Sequence, residues 1–171
     1  MFKWKYSNWA RILWTILRVY LGYNWLTSGF GKVFGANAEV WVGSQAGVAV
    51  TGFLKGALAK TGGAHPDVQP WYAWFINHIA LPNAKIFGYM VAWGEFLVGI
   101  ALILGMFTTL ALLASLLMNF NYMFAGSVSV NPIFIIEALI LLWAGWAAYY
   151  WSLDRLLWNR WHQKPFPEEP R

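Results

Sequence analysis

The sequence predicts an all-α integral membrane protein: a four-transmembrane-helix bundle with an extracytoplasmic loop that carries short interfacial helices. The first observation behind this prediction is composition, because 59% of the residues are hydrophobic and only 11% are charged. Soluble domains are typically about 45–50% apolar and about 25% charged. The second observation is that the apolar residues are gathered into blocks. The third is that the basic residues lie mainly near the two ends of the chain.

Four apolar blocks are long enough to cross a bilayer, which takes roughly 20 residues of helix. They cover residues 13–34, 84–105, 107–125 and 132–151. Only a few residues join the second block to the third, so these two are expected to form an antiparallel hairpin. Pro132 opens the fourth block, where the first turn of a helix needs no N–H. We therefore interpret residues 1–171 as a single membrane domain.

The segments between and after the spans are expected to lie at the membrane surfaces. Within the loop at 36–83, residues 38–60 are apolar but interrupted by glycines, which favours an interfacial or re-entrant helix over a fifth span. The run "WYAWFINHI" predicts a short helix on the outer surface. The tail at 152–171 begins with a basic amphipathic stretch and ends in "PFPEEPR", whose composition is typical of disorder.

Charge distribution predicts the orientation of the chain. Lysines and arginines precede the first span and follow the last, and the links between the later spans are uncharged. By the positive-inside rule, both termini are cytoplasmic in a multi-pass protein of the cell membrane. The net charge of +5 is therefore attributed to topology, with the lipid bilayer as partner and no nucleic acid.

No metal or haem site is evident. The chain has no cysteine, which excludes a disulfide, a thiolate ligand and a haem attachment motif of its own. His65 and His78 fall outside the predicted spans and are interpreted as surface residues.

Polar residues inside the predicted spans are the candidate functional residues. Two are carboxylates, two are cations and two are amides: Glu95 and Glu137, Arg18 and Lys32, Asn119 and Asn121. A charge at the bilayer centre costs about 2.5–3.5 kcal/mol on insertion scales. We therefore expect these side chains to face the bundle interior, where the two cations pair with the two carboxylates.

Helical rise assigns approximate depths to these groups. At about 1.5 Å per residue, Lys32, Asn121 and Glu137 share a level near the outer face, and Glu95 lies deeper. Arg18 is expected to reach towards Glu95 from the inner half. Three structural alternatives stay open: the cations snorkel to headgroups, the carboxylates form purely structural ion pairs, and the asparagines only join helices.

Several motifs resemble the DoxX/DoxD family of small four-helix membrane proteins. The resemblance is carried by "RVYLGYNWLTSGFGK", "LPNAKIFGYMVAWGEFLVGIALILGMFT", "MNFNYMFAGSVSVNP" and "SLDR", over most of residues 10–156. This family includes the membrane subunit of a thiosulfate:quinone oxidoreductase, which oxidises thiosulfate to tetrathionate with a membrane quinone as acceptor. Other relatives work with soluble oxidoreductases.

The resemblance implies roles for the candidate residues. Glu95 and Glu137 would be catalytic and exchange protons with the quinone, while Arg18, Lys32, Asn119 and Asn121 would bind a small anionic substrate. Trp25 and Trp93 would flank the quinone ring. A soluble or extracytoplasmic redox subunit and a homo-oligomer are the partners implied. The alternative is a non-enzymatic protein, either a membrane anchor for a soluble redox partner or a small anion or proton transport module.

Overall fold

The computed structural model describes residues 3–162 and is all-helical over that range. Four long helices correspond to the four apolar blocks: α1 (Asn8–Val33), α5 (Ala84–Leu104), α6 (Thr108–Phe124) and α7 (Asn131–Ala144). Shorter helices are α2 (Ala38–Trp41), α3 (Val48–Leu58), α4 (Pro70–Phe75) and α8 (Leu153–His162). A π-helical turn at Ile76–Ala80 extends α4, and 3-10 turns cover Lys3–Tyr6 and Gly145–Ala147. The segment "PFPEEPR", expected to be disordered, lies outside the described residues.

Local chemistry fixes the ends of the long helices. The Ser7 side chain accepts a hydrogen bond from the Ala10 N–H and caps the start of α1. Gly105, at φ +65°, ends α5 in the left-handed conformation that glycine adopts readily. At the start of α6, the Asp154 carboxylate accepts the N–H groups of Phe107 and Thr108 at 2.6 and 2.8 Å. The predicted block 132–151 is α-helical only to Ala144 and continues as the 3-10 turn, because Gly145 at φ +58° turns the chain.

Glycines bring α1 and α5 into close contact along their length. A Cβ at Gly29 would lie 2.8 Å from the carbonyl carbon of Glu95, and one at Gly22 would lie 3.0 Å from the carbonyl oxygen of Gly99. Helices in apolar surroundings associate through such small residues, because their backbones can then approach closely. This contact sets the register of α1 against α5 and therefore the positions of their polar side chains.

Residues 38–80 fold into a compact layer, here called the cap, over one end of α5 and α6. The cap contains α2, α3, α4 and the π-helical turn, and it has its own core with Val50, Leu54, Val68, Tyr72 and Ile76. The predicted short helix at "WYAWFINHI" is confirmed. The segment at 38–60, expected as a single interrupted helix, instead forms two helices, because Gly47 at φ +99° turns the chain between them.

Among the described residues, one helix, Ala84–Leu104, is both long and apolar enough to cross a membrane by length and composition. The helices Thr108–Phe124 and Asn131–Ala147 are apolar but shorter. The described residues form an all-helical fold in which one helix meets the length and composition needed to cross a bilayer.

Candidate functional site

Glu95 is the centre of a polar cluster contributed by three helices. Its side chain lies near the middle of α5 and is only 3% exposed. One carboxylate oxygen, Oε2, lies 2.5 Å from Lys32 Nζ and accepts a hydrogen bond of 2.8 Å from Ser28 Oγ. The other, Oε1, accepts a hydrogen bond of 2.6 Å from the Tyr122 hydroxyl on α6. Three donors therefore surround one buried carboxylate, and the ion pair makes the cluster neutral as a whole.

The geometry of α1 explains how Lys32 reaches a carboxylate inside the bundle. Ser28 and Lys32 are four residues apart, so they lie one above the other on the same face, and Lys32 Nζ donates to Ser28 Oγ at 2.7 Å. Gly29 beside them allows the backbone of α5 to approach. The Lys32 ammonium also lies 5.2 Å from the centre of the Trp41 ring in the cap, within cation–π range.

This cluster forms part of the wall of a cavity of about 500 Å³ between the cap and the ends of α1, α5 and α6. Most of the lining is apolar, with Phe53, Leu54, Phe87 and Leu117 among its residues. Cavities of 300–1,000 Å³ with apolar walls and a few placed polar groups are typical of small-molecule sites.

A second polar group lines the same cavity. The Tyr72 hydroxyl lies 3.1 Å from both the backbone and the side-chain oxygen of Asn121. Burial raises the pKa of Tyr72 to about 12, because the charged phenolate would lose its hydration. Tyr72 therefore stays protonated and acts as a donor at any physiological pH.

The predicted pairing of Arg18 with Glu95 is wrong. Arg18 is 1% exposed, but it donates to the carbonyl oxygens of Leu102 at 2.8 Å and Trp151 at 2.6 Å. Arg18 and Lys32 are fourteen residues apart on α1, so about 21 Å of helix separates them. A substrate site built from both cations is therefore not formed, and Glu95 pairs with Lys32 instead.

Glu137 and Asn119 lie in the bundle interior but away from the cavity lining. Glu137 is 7% exposed and Asn119 is fully buried. Neither side chain has a hydrogen-bond partner in the part of the chain that the structure describes. Among the predicted carboxylates and amides, the structure thus brings Glu95 and Asn121 together at the cavity and places Glu137 and Asn119 elsewhere.

The two tryptophans expected to flank a quinone also lie outside the cavity lining. Trp25 is buried in the main core, with its ring 6.3 Å from that of Phe134. Trp93 is 40% exposed and meets the rings of Phe34 and Phe96 edge-on at 5.9 Å. Their surroundings are those of packing residues.

Sequence reasoning missed three residues of the site: Ser28, Tyr72 and Tyr122. Ser28 was detectable, because it lies one helical turn before Lys32 on the face that carries the cation. Tyr122 directly follows Asn121, but its side chain turns towards a different helix. Tyr72 belongs to the cap, whose position over the bundle no periodicity reveals. Within residues 3–162 no group of three or more His, Cys, Asp or Glu residues is placed to hold a metal ion.

Comparison with known families decides the classification. The model of the DoxX family matches residues 13–127, which is more than half of the chain. The chain belongs to the DoxX family. The family is membrane-associated, which agrees with the candidate membrane helix at Ala84–Leu104. No curated protein and no solved structure matches the chain.

The DoxX match contains the whole Glu95 cluster and most of the cavity, because it includes most of α1 and all of the cap, α5 and α6. It ends before α7, so Glu137 lies outside the matched range. The resemblance noted in the sequence is confirmed for the family, and its thiosulfate:quinone oxidoreductase branch stays a prediction.

Proposed function

We propose that this DoxX protein is a four-span membrane subunit of an oxidoreductase and that its cavity binds the headgroup of a membrane quinone. In this proposal α1, α5, α6 and α7 cross the bilayer, both termini are cytoplasmic, and the cap faces the extracytoplasmic side. The observation that carries the proposal is a mainly apolar cavity with a buried, neutral cluster of hydrogen-bond donors on one wall.

The outer surface of the bundle supports the membrane arrangement. Apolar side chains on all four long helices are about half exposed or more, among them Ile16, Ile86, Leu110 and Ile133. Soluble monomers rarely expose contiguous apolar surface on this scale. Lipid would cover these side chains and would also compensate for the modest length of α6 and α7 by local thinning.

The cavity suits a ligand that enters from lipid. Met90 on α5 and Leu117 on α6 both line it, yet they are 61% and 66% exposed on the outer surface. The apolar cavity wall is thus continuous with the apolar exterior of the helices. A hydrophobic quinone would pass between these residues, whereas a hydrated anion would have to lose its water.

The polar groups of the cavity match the needs of a quinone head. A bound quinone supplies an acceptor for two electrons and two protons. Its carbonyl oxygens accept hydrogen bonds, and the Lys32 ammonium offers an N–H donor at the lining. Tyr122 and Tyr72 give their O–H groups to Glu95 and Asn121 in the structure and would turn them to the quinone when it binds. Phe53 and Phe87 provide aromatic walls for the ring. The residues present therefore fit the group.

Glu95 is the residue that we assign to proton handling. Its carboxylate is held by Lys32 and Ser28 on one oxygen and by Tyr122 on the other. A proton given up by Tyr122 to the reduced quinone would be replaced through Glu95, which would first take a proton from the Lys32 ammonium paired with it. Lys32, whose side chain is 18% exposed, would then regain a proton from water. The electrons would come from thiosulfate or a related sulfur compound, directly or through a soluble subunit. Two thiosulfate ions that join as tetrathionate release two electrons, the number that one quinone accepts.

The proposal is tested with the purified protein in lipid nanodiscs. Binding of a short-chain quinone is measured by quenching of tryptophan fluorescence, and quinone reduction is then measured with thiosulfate, sulfite and thiols as donors. Leu54→Trp should abolish binding, because Leu54 is 6% exposed and lines the cavity. Ile16→Trp, on the outer surface of α1, is the matched control and should bind normally.

Two results would refute this function. One is the absence of quinone binding by the wild type in nanodiscs; the other is equal binding by Leu54→Trp and Ile16→Trp. Binding without reduction, after soluble redox subunits have been added, would instead favour the membrane-anchor alternative.

A further inference from the structure

A second set of buried polar groups lies in the bundle, apart from the cavity. Its centre is Glu137 on α7, which is 7% exposed and whose two carboxylate oxygens accept no hydrogen bond from the described residues. A buried carboxylate normally has donors or a cation beside it, because burial of an unpaired charge is very costly. The state of Glu137 therefore requires an explanation.

Asn119 on α6 is the polar group nearest in level to Glu137, and Ser115 lies one helical turn away from Asn119. Helices α6 and α7 pack against each other in antiparallel fashion through the turn at residues 125–130. Asn119 lies five residues before the end of α6, and Glu137 lies six residues after the start of α7. At about 1.5 Å per residue, both are about 8–9 Å from that turn. Both side chains on α6 are fully buried, and neither has a hydrogen-bond partner among the described residues.

Helix α1 contributes one more donor to this region. The Trp25 ring lies 6.3 Å from that of Phe134, which is one turn before Glu137 on α7. Trp25 is 4% exposed, and its indole N–H likewise lacks an acceptor in the described part of the chain. Helical side chains point towards the N-terminus of their helix. The Trp25 side chain therefore points towards the start of α1, and the Glu137 side chain points towards the start of α7. In antiparallel helices these tilts bring the two groups towards each other.

The charged groups of the elements packed on α7 are all engaged elsewhere. Arg18 donates to two carbonyl oxygens, Lys32 pairs with Glu95, and the guanidinium of Arg11 lies 3.9 Å from the Tyr150 ring centre. Lys5, which also packs on α7, donates to the Trp143 carbonyl oxygen at 3.2 Å. On α6, the titratable group is Tyr122, which donates to Glu95. No described cation is therefore available to compensate an ionised Glu137.

We propose that Glu137 holds a proton at neutral pH and, with Asn119 and Trp25, forms an internal proton-binding site separate from the cavity. A neutral carboxylic acid has the polarity that these groups need. These groups are unpartnered among the described residues. After rotation of the side chains, the Glu137 O–H would donate to the Asn119 side-chain oxygen, and its carbonyl oxygen would accept from the Trp25 and Asn119 N–H groups. A bound monovalent cation suits the set less well, because two of the partners present N–H donors.

This proton site does not depend on what occupies the cavity. Its test uses dicyclohexylcarbodiimide, an apolar reagent that adds to protonated carboxyl groups. The acid proton moves to a reagent nitrogen while the carboxyl oxygen bonds the central carbon. The adduct then rearranges to a stable acylurea, which peptide mass spectrometry locates. The full-length protein in nanodiscs is treated at pH 7, without quinone, in sodium-free and in sodium-rich buffer.

We expect the label on Glu137 in both buffers and not on Glu95, which is the internal control because Lys32, Ser28 and Tyr122 engage both of its carboxylate oxygens. The label should disappear in Glu137→Gln. Protection of Glu137 by sodium would identify a cation site and overturn the proposal.

Infrared spectroscopy of the same samples covers the case in which the reagent fails to reach the site. The wild type should show a carbonyl band of a protonated carboxylic acid that shifts in D₂O and is lost in Glu137→Gln. If wild type and Glu137→Gln give identical spectra in this region, Glu137 is ionised and the proposal is wrong. Neither the carbodiimide label nor the infrared band depends on quinone reduction. Both therefore test the proton site even if the protein proves to bind or reduce no quinone.

Discussion

The Lys32–Glu95 ion pair gives the sharpest quantitative prediction. Its side chains are 18% and 4% exposed, so the pair is mostly desolvated and the glutamate entirely so. Removing one partner of a buried pair costs about 3–5 kcal/mol, because the other charge is left uncompensated. For Glu95→Gln we expect a loss near the lower end, about 3 kcal/mol, since the Lys32 stem can carry its ammonium towards solvent.

Lys32→Met should cost at least as much, about 3–5 kcal/mol, because the Glu95 side chain is 4% exposed and cannot carry its charge to solvent. Its hydrogen bonds from Ser28 and Tyr122 remain and keep the loss from being larger. The double variant contains neither charge and should lose less than the sum of the two single changes, by about 1–2 kcal/mol. The measurement is the free energy of unfolding in mixed micelles, titrated with a denaturing detergent.

A second cycle supplies the control. Arg18→Met combined with Glu95→Gln should be additive within about 0.5 kcal/mol, because groups more than about 10 Å apart rarely couple. Arg18 instead contacts the carbonyl of Leu102, seven residues from Glu95 on α5. Additivity in the Lys32 cycle, or coupling in the Arg18 cycle, would refute the assignment of the pair.

Three further predictions follow from local geometry. Gly29→Ala should lower the free energy of unfolding by about 1–3 kcal/mol, because a Cβ there overlaps the α5 backbone. Gly31→Ala is the control. It should be neutral or slightly stabilising, because nothing lies within 4 Å of a Cβ at that position. Asp154→Asn should lower the free energy of unfolding by about 1 kcal/mol. It replaces one of the two carboxylate oxygens that accept the N–H groups at the start of α6. Asp67→Asn, at an exposed position, is the control in the same unfolding assay. Because the folded-state pKa of Tyr72 is raised to about 12 from an ordinary value near 10, its contribution to stability should be present below pH 10 and disappear between about pH 10 and 12. In Tyr72→Phe the free energy of unfolding should not show this fall between pH 10 and 12. If the variant and the wild type show the same dependence on pH, the prediction is wrong.

The sequence predicted the long helices well because hydrophobic length and periodicity depend only on neighbouring residues. α5 begins at Ala84 as expected and ends one residue short of its predicted limit. The error in the fourth block has a local cause. Gly145 turns the chain at a positive φ within an apolar run, and hydropathy averages do not register a single backbone conformation.

Pairings between helices were predicted less well, because they depend on rotation and register. The residue types inside the bundle were identified correctly as buried: Arg18, Glu95, Asn119 and Glu137 are all at most 7% exposed. The partners of these residues were not identified correctly. Their depth in the bundle alone would allow Glu95 to pair with either Arg18 or Lys32. The glycine contact at Gly29 decides in favour of Lys32 by setting α1 directly against Glu95.

The observed pairing also changes which substrate the cavity can favour. The resemblance implied that Arg18 and Lys32 together would bind a small anionic substrate. In the structure the only charges of the described cavity lining are Lys32 and Glu95, and they neutralise each other at 2.5 Å. A dianion placed there would meet the carboxylate as closely as the ammonium, and would lose its hydration without a net opposite charge in return. A neutral ring brings no charge that must be desolvated, and its carbonyl oxygens can accept from the Lys32 ammonium while the ring packs on the apolar walls. For this reason we propose the quinone as the ligand of the cavity and expect the sulfur substrate to bind outside it, at the cap or on a soluble partner.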